Sequence, residues 1–397
     1  MRRTDDQLRS RLGLIFVPLL LVLAVLLYRA EAVAAPRAPD VVRCVRMFLA
    51  QPPTWTWSGA WSASDQLVLA DPVSHALFQY LVPSGRTVEA LPKSLAADLG
   101  STVPSRIQAT GNGELVVELA NDRLVTFSKS FRLMSRADVV TRYNAKAANP
   151  GARIESLWGW TLAGGDLLGY GDVSFDGRQR WESGVFRLSL SNPQNLEVAF
   201  STPLALENPE SEKPDTSRAF YRLGLPFLAA LKDEKDDTRY VGYVLLMKDR
   251  LGIYRHEKGR PTLDFVTALP RGLEVSPQLP DLKRKEDFPS VMRAVEQSTM
   301  PAGLWGWNGH LFLLSRAPAG TKTRWTLTKI DPRQGAVLGS IVLPTEANHL
   351  TVVPGPSWWA FVEKGPVLGF GNQNIDSAVL VPSQALRGNL RAQFVIE

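Results

Sequence analysis

At 397 residues, with 45% hydrophobic and 21% charged residues, the chain is long enough for a sizeable core and too apolar for a disordered one. Its formal charge of +6 comes from 45 basic and 39 acidic residues spread along the sequence, without a Lys/Arg stripe interleaved with aromatics, which argues against a nucleic-acid partner. The single cysteine, Cys44, rules out an internal disulfide and leaves two readings, a buried small side chain or an intermolecular or reactive thiol.

The N-terminus carries an address. Gly13 to Tyr28 holds no charge and comes after Arg2, Arg3, Arg9 and Arg11, an order that leaves the N-terminus in the cytoplasm and exports the rest of the chain. Residues 1–35 are therefore expected to be a hydrophobic helix with a short Ala/Pro linker. The long basic lead favours an uncleaved signal anchor, with the globular part on the periplasmic or extracellular side. Ala32-Val33-Ala34 offers the alternative of signal-peptide cleavage and a periplasmic or secreted product.

Beyond the linker the sequence falls into short apolar runs broken by turn residues. Trp55 to Pro92 is punctuated by Ser-Ala-Ser-Asp, Asp-Pro and Pro-Ser-Gly, and Arg106 to Met134 by Gly-Asn-Gly and Ala-Asn-Asp. Ile154 to Pro203 reads as four strands separated by Gly164-Gly165, Asp176-Gly177 and Ser-Asn-Pro-Gln-Asn. Tyr221 to Pro270 has three polar turns, Gly303 to Pro344 again gives four strands and three turns, and Leu350 to Pro382 is the least regular. Asn-Gly, Asp-Gly and Gly-Gly between apolar runs are strong hairpin signals. A meander of roughly 40–50 residues that recurs is a β-propeller blade. The sequence thus predicts an all-β propeller over 36–397 with about six four-stranded blades at 55–92, 106–134, 154–203, 221–270, 303–344 and 350–382, preceded by the N-terminal hydrophobic helix.

The stretch SDQLVLADPVSHALFQYLVPSGRTVEAL, Ser64 to Leu91, resembles the repeats of six-bladed propellers of the NHL and lactonase-like kind in its apolar strands, Asp-Pro corner and Gly-containing hairpin. The resemblance is one of repeat style and carries over no functional residue.

The tetrapeptide Leu-Trp-Gly-Trp occurs at Leu157–Trp160 and again at Leu304–Trp307. In a strand, Trp158 and Trp160 would share one face, and Leu157 and Gly159 the other. Because blades pack on both faces, the indoles are expected to fill one inter-blade interface while the glycine admits the next blade closely; the alternative is an aromatic surface that stacks a ligand. The same holds for Trp305, Gly306 and Trp307, and Trp55, Trp57 and Trp61 are candidates for the same role in the first blade. Ring closure needs the chain ends to meet, since an open ring leaves strand edges bare. Val41 to Ala50 and Leu390 to Glu397 both read as β segments, and one is expected to complete the last blade beside the other.

Two insertions interrupt the frame. Ala205 to Arg218 is polar and Pro-rich, a surface loop. Phe288, Val291, Met292 and Val295 lie at helical spacing in Asp281 to Ser298, an amphipathic helix that lies on a propeller face or, helped by Lys283, Arg284 and Lys285, docks a partner or the membrane surface.

Chemistry is sparse. His75, His256, His310 and His349 have no partner at metal-ligand spacing, and Asp233, Glu234, Asp236 and Asp237 lack the calcium-loop order. Asp172, Asp176 and Glu182 lie near one another, but Asp176 is accounted for by its turn. No Gly-x-Ser-x-Gly elbow or P-loop is present. No catalytic, cofactor-binding or metal-ligating residue is therefore assigned, and no cofactor is expected. The expected function is a non-catalytic binding or scaffold module with a protein or other envelope component as partner. The alternative is a propeller hydrolase or lactonase with a metal at the central channel.

Overall fold

In a computed structural model of the protein, the described residues are 41–396 without 55, 57, 91–103, 120–122, 139–152, 165, 176–179, 190–195, 202–225, 233–238, 246–249, 258–259, 269–298, 321, 346, 365–376, 389 and 391. The N-terminal apolar segment, the insertion at 205–218, the expected helix at 281–298 and the acidic turn at 233–237 lie outside them.

The second strand of each meander shows why this sequence makes stacked sheets. Gln66–Asp71 and Leu115–Leu119 are buried at nearly every position instead of alternating, and Leu311 to Leu314 are buried without exception. A strand buried on one face alternates apolar with polar residues, whereas a strand covered on both faces loses that alternation.

Five sheets have four antiparallel strands each, taken in chain order. Blade 1 is β2 (Ser58–Ala63), β3 (Gln66–Asp71), β4 (Ala76–Leu81) and β5 (Arg86–Ala90). Blade 2 is β6 (Pro104–Ala109), β7 (Leu115–Leu119), β8 (Arg123–Phe127) and β9 (Leu133–Asp138). Blade 3 is β10 (Arg153–Ala163), β11 (Asp166–Phe175), β12 (Arg180–Ser189) and β13 (Leu196–Ser201). Blade 4 is β14 (Pro226–Lys232), β15 (Arg239–Leu245), β16 (Arg250–Glu257) and β17 (Arg260–Ala268). Blade 5 is β18 (Met300–Trp307), β19 (His310–Ala319), β20 (Lys322–Ile330) and β21 (Val337–Val342).

Blade 6 has five strands and closes the ring. Its order is β22 (His349–Val353), β23 (Trp358–Lys364), β24 (Ser377–Pro382), β1 (Val41–Phe48) and β25 (Gln393–Ile396). The N-terminal strand divides its hydrogen bonds. Its second half pairs antiparallel with β24, Val45 opposite Leu380, and its first half pairs parallel with β25, Cys44 opposite Ile396. The first and last described strands therefore join one sheet, and β1 lies between β24 and β25. The protein is a six-bladed β-propeller.

The core is distributed over the blade interfaces. Each hydrophobic cluster among the described residues joins two successive blades, and the six clusters account for all six junctions. Single strands feed two clusters in alternation. Leu67 and Leu69 face blade 6 while Val68 and Ala70 face blade 2, and Phe312 and Leu314 face blade 6 while Leu311 and Leu313 face blade 4. A period of two thus survives in where the side chains point although both faces are dry.

Polar contacts lock the closing blade. Glu363 on β23 accepts hydrogen bonds from Thr345 Oγ1 at 2.6 Å and from Ser377 Oγ, and pairs with Arg46 of β1 at 3.0 Å. Lys329, only 2% exposed on β20, donates to the carbonyls of Leu386, Arg387 and Gly388 at 3.2, 2.7 and 3.1 Å. These carbonyls end a 3-10 turn, Ser383–Leu386, just before the C-terminal strand. A buried ammonium that saturates three carbonyls pins that turn to blade 5. Burial lowers the Lys329 pKa.

The two Leu-Trp-Gly-Trp segments diverge. In β18 the strand bulge falls at Ala302, ahead of the tetrapeptide, and the expected alternation holds. Trp305 and Trp307 pack edge-on against Trp359 of blade 6 at 6.4 and 5.7 Å, and Leu304 joins the blade 4 cluster. Gly306 meets blade 4: a Cβ there would collide with Ala230 O and stand 2.8 Å from Ala230 C and 3.0 Å from Leu231 Cβ. In β10 the bulge falls inside the tetrapeptide, at Trp158. One extra residue shifts the frame. Leu157 and Trp160 consequently share the cluster with blade 2 instead of occupying opposite faces. The Trp158 side chain and Trp55 and Trp57 lie outside the described residues, whereas Trp61 is buried against blade 6 and donates from Nε1 to Val353 O at 3.0 Å.

Candidate functional site

The innermost strand of every blade contributes to a cavity of about 700 Å³ on the propeller axis. β2, β6, β10, β14, β18 and β22 all line it, and its wall includes the turns that leave β2 and β6 and the loop after β22. At that end Ser64, Gly111 and Asn112 are exposed, and Lys129 reaches in from the turn between β8 and β9. The volume falls within the range of small-molecule pockets, roughly 300–1,000 Å³.

Side-chain hydrogen bonds fasten the inner strands where they diverge round the axis. Ser58 Oγ donates to Ile107 O at 3.0 Å and accepts from Ile107 N at 3.1 Å, tying blade 1 to blade 2. Gln108 ties blade 2 to blade 3. Its Oε1 accepts from Leu162 N at 2.9 Å and from Thr161 Oγ1 at 3.4 Å, and its Nε2 donates to Trp160 O at 3.4 Å. Thr351 Oγ1 donates to Thr56 O at 3.1 Å between blade 6 and the segment entering blade 1.

Arg106 stands beside Gln108 on the same face of β6. Its Nη1 donates to Trp160 O at 3.1 Å, and its guanidinium lies over the Trp160 ring, 6.0 Å from the centroid. Gly159 faces the same group, since a Cβ there would stand 3.2 Å from Arg106 Nη1. Burial lowers the Arg106 pKa, and Glu118, opposite it on β7, acts in the other direction through space.

The remainder of the wall is apolar or neutral. Trp305 and Trp307, Phe227, Leu228 and Leu350 supply apolar surface, and Ser62, Thr110 and Asn112 supply neutral hydrogen-bonding groups. Among the described lining residues there is no Asp, Glu, His or Cys, and Arg106 and Lys129 carry the only charges. A lactonase-like metal at the axis needs oxygen ligands converging from several blades. No three His, Cys, Asp or Glu come together among the described residues in a way that could hold a metal.

The described histidines and carboxylates singled out in the sequence are not part of this wall, whereas Trp61, Gly159, Trp160, Trp305, Gly306 and Trp307 are. His310 is tied into its own turn, with Nδ1 2.7 Å from Asn308 O. His75 is an exposed turn residue with φ 57°, and His349 opens β22. Asp172 is on β11; Asp176 and the side chains of Glu182 and His256 lie outside the described residues. Cys44 is fully buried at the junction of blades 5 and 6, which pushes its thiol pKa up to about 12 and favours the buried, inert reading.

No family model matches the sequence, and no curated protein does. Solved structures do match. A Bacteroides thetaiotaomicron protein of unknown function aligns with TM-score 0.46 at 11% identity, over 86% of this chain and 73% of that one. Virginiamycin B lyase from Staphylococcus aureus aligns with TM-score 0.41 at 10% identity, over 85% of this chain and 99% of that one. PorZ, a surface component of the type-IX secretion system of Porphyromonas gingivalis, gives 0.41 and 10%, with 85% of this chain on 38% of that one. The likeness is one of fold. Propellers host both catalysis and recognition, so the fold leaves function to the cavity.

Proposed function

We propose that this propeller is a non-catalytic binding module, exported and held at a membrane by its N-terminal apolar segment, with the axial cavity as its binding site. The observation that supports this most is the make-up of the cavity wall. Six inner strands supply backbone, aromatic and neutral hydrogen-bonding groups there, with one guanidinium and one ammonium, and no described side chain able to act as general base or metal-binding carboxylate. A rigid ring with such a wall holds a ligand without transforming it. The topology suits the task, because the first and last described strands are both locked into blade 6 and binding need not organise the fold.

Export rests on the basic-then-apolar order of residues 1–35. Among the described residues no helix is long and apolar enough to cross a membrane.

The test compares the tagged full chain with a mouth-blocked variant, Ser64→Trp with Asn112→Trp, both at exposed turn positions lining the cavity. Each is purified from the native membrane fraction and analysed by native mass spectrometry. A co-purifying mass present in the wild type and lost from the blocked variant is the expected result. Identical spectra would refute the cavity as the site. Turnover of a lactone panel that a chelator abolishes would establish the hydrolase alternative instead. N-terminal sequencing of the same material decides between the anchor and the cleaved leader.

A further inference from the structure

We infer that the axial cavity is built for a small anionic molecule with a flat apolar body, its anionic group held by Arg106 and its ring against the cavity tryptophans; the inference rests on the binding-module reading and specifies its ligand. Arg106 carries the weight. A guanidinium has several N–H donors in a planar fork that suits carboxylate, sulfonate and phosphate groups. Here one hydrogen bond is made, from Nη1 to Trp160 O, and no ion pair is formed among the described residues. Glu118 lies across the strand pair and influences Arg106 only through space. Arg106 is half-buried and lines the cavity, so its remaining donors stay accessible there to an incoming anion.

Two further observations agree. Lys129 lies over Gly113, whose missing side chain leaves room for it: a Cβ at Gly113 would stand 2.6 Å from Lys129 Cε. The second cation is thereby laid along the wall on the Arg106 side, since Gly113 ends the turn that leaves β6. With no acidic side chain among the described lining residues, the cavity has one sign of charge, which draws anions and repels cations. Trp160 is the second observation. It lines the cavity and holds Arg106 in place, since its carbonyl accepts from Nη1 and its ring lies 6.0 Å from the guanidinium carbon. With Trp305 and Trp307 across the cavity, the apolar part of the occupant is a ring system.

The probes are 8-anilinonaphthalene-1-sulfonate, an anionic aromatic, and N-phenyl-1-naphthylamine, its uncharged counterpart, each titrated by fluorescence into the full chain. The sulfonate is expected to bind one equivalent, more tightly than the amine, with an affinity that falls as salt rises. Arg106→Gln should weaken the sulfonate about tenfold and leave the amine unchanged. Lys129→Gln, at an exposed position, should weaken it less and tests the same charge without touching the inter-blade contacts. Arg86→Gln, on the outer strand of blade 1, should change neither probe. If both probes bind equally and neither cavity variant separates them, the anion preference is wrong while the cavity remains a binding site. If the mouth-blocked Ser64→Trp/Asn112→Trp variant binds both probes like wild type, or if wild type binds neither, the cavity reading falls together with the inference.

Discussion

Alanine at Gly306 and alanine at Gly159 are the same change at the same position of the same tetrapeptide, and the structure predicts opposite outcomes. At Gly306 the added Cβ meets the main chain of the neighbouring blade: Ala230 O in collision, Ala230 C at 2.8 Å and Leu231 Cβ at 3.0 Å. Main chain cannot rotate aside, so β14 and β18 must part by several tenths of an ångström, and the adjoining cluster of Leu231, Leu304 and Leu311 opens with them. Overpacking of this kind costs about 1–3 kcal/mol. At Gly159 the nearest atoms are Arg106 Nη1 at 3.2 Å and Nη2 at 3.7 Å, the tip of a flexible side chain that can withdraw. That cost should stay within about 0.5 kcal/mol, and removal of a strand glycine works in the favourable direction. For a propeller of this size Gly306→Ala should lower the melting temperature by roughly 2–4 °C, and Gly159→Ala by less than about 1 °C. Circular dichroism melts at several scan rates provide the comparison. Equal destabilisation by the two changes, or a neutral Gly306→Ala, would refute the account of how the inner strands pack.

Removal of residues 390–397 should sharply lower the melting temperature, because Leu390 and Phe394, 2% and 6% exposed, each stabilise by about 1.5–3 kcal/mol. Cys44 would then lose the strand that covers it, so its reaction with a dithiobis-nitrobenzoate reagent, absent from the native chain, should appear in the truncated one. Folding raises the Cys44 pKa from the ordinary 9.0 to about 12. Its contribution is therefore complete below pH 9 and lost as pH rises towards 12, at a slope of at most about 1.4 kcal/mol per pH unit. Denaturant melts of wild type and Cys44→Ala should run parallel below that window and converge within it; curves that stay parallel throughout would contradict the assignment. Lys329→Met should free the 383–388 turn and increase amide exchange across β25, by loss of three carbonyl acceptors' shared donor. Unchanged exchange there would show that the ammonium is not the latch.

Most of the architecture was legible because two signals agreed: turn dipeptides at regular spacing and apolar runs too short for helices. Asp71-Pro72 illustrates the local chemistry. The Asp71 carboxylate accepts from Val73 N, Ser74 N and Ser74 Oγ, closing the corner between β3 and β4, and from Thr54 N of the segment entering the blade. That the chain ends meet followed from the hazard of a bare edge. The division of β1 between an antiparallel and a parallel partner did not, since Val41 to Phe48 has no break to mark where pairing changes.

The bulges were hidden for a related reason. Leu-Trp-Gly-Trp is identical in β10 and β18, and where the extra residue falls is decided by the partner strands and not by the tetrapeptide. The cavity was harder still, because its wall is gathered from six strands spaced along the whole chain. One trace was present. Arg106 and Gln108 put two polar residues on one face of an inner strand whose intervening residue, Ile107, is fully buried, and such a pair on the axis has to reach a neighbour or a ligand. Gln108 reaches the neighbouring blade, and Arg106 does so with one of its nitrogens.

The most direct measurement is a crystal structure of the full chain grown with 8-anilinonaphthalene-1-sulfonate. The account predicts the naphthalene ring inside the axial cavity among Trp160, Trp305 and Trp307, with the sulfonate hydrogen-bonded to Arg106. A probe found only on the outer faces of the blades, or seated in the cavity with its sulfonate turned away from Arg106, would contradict it.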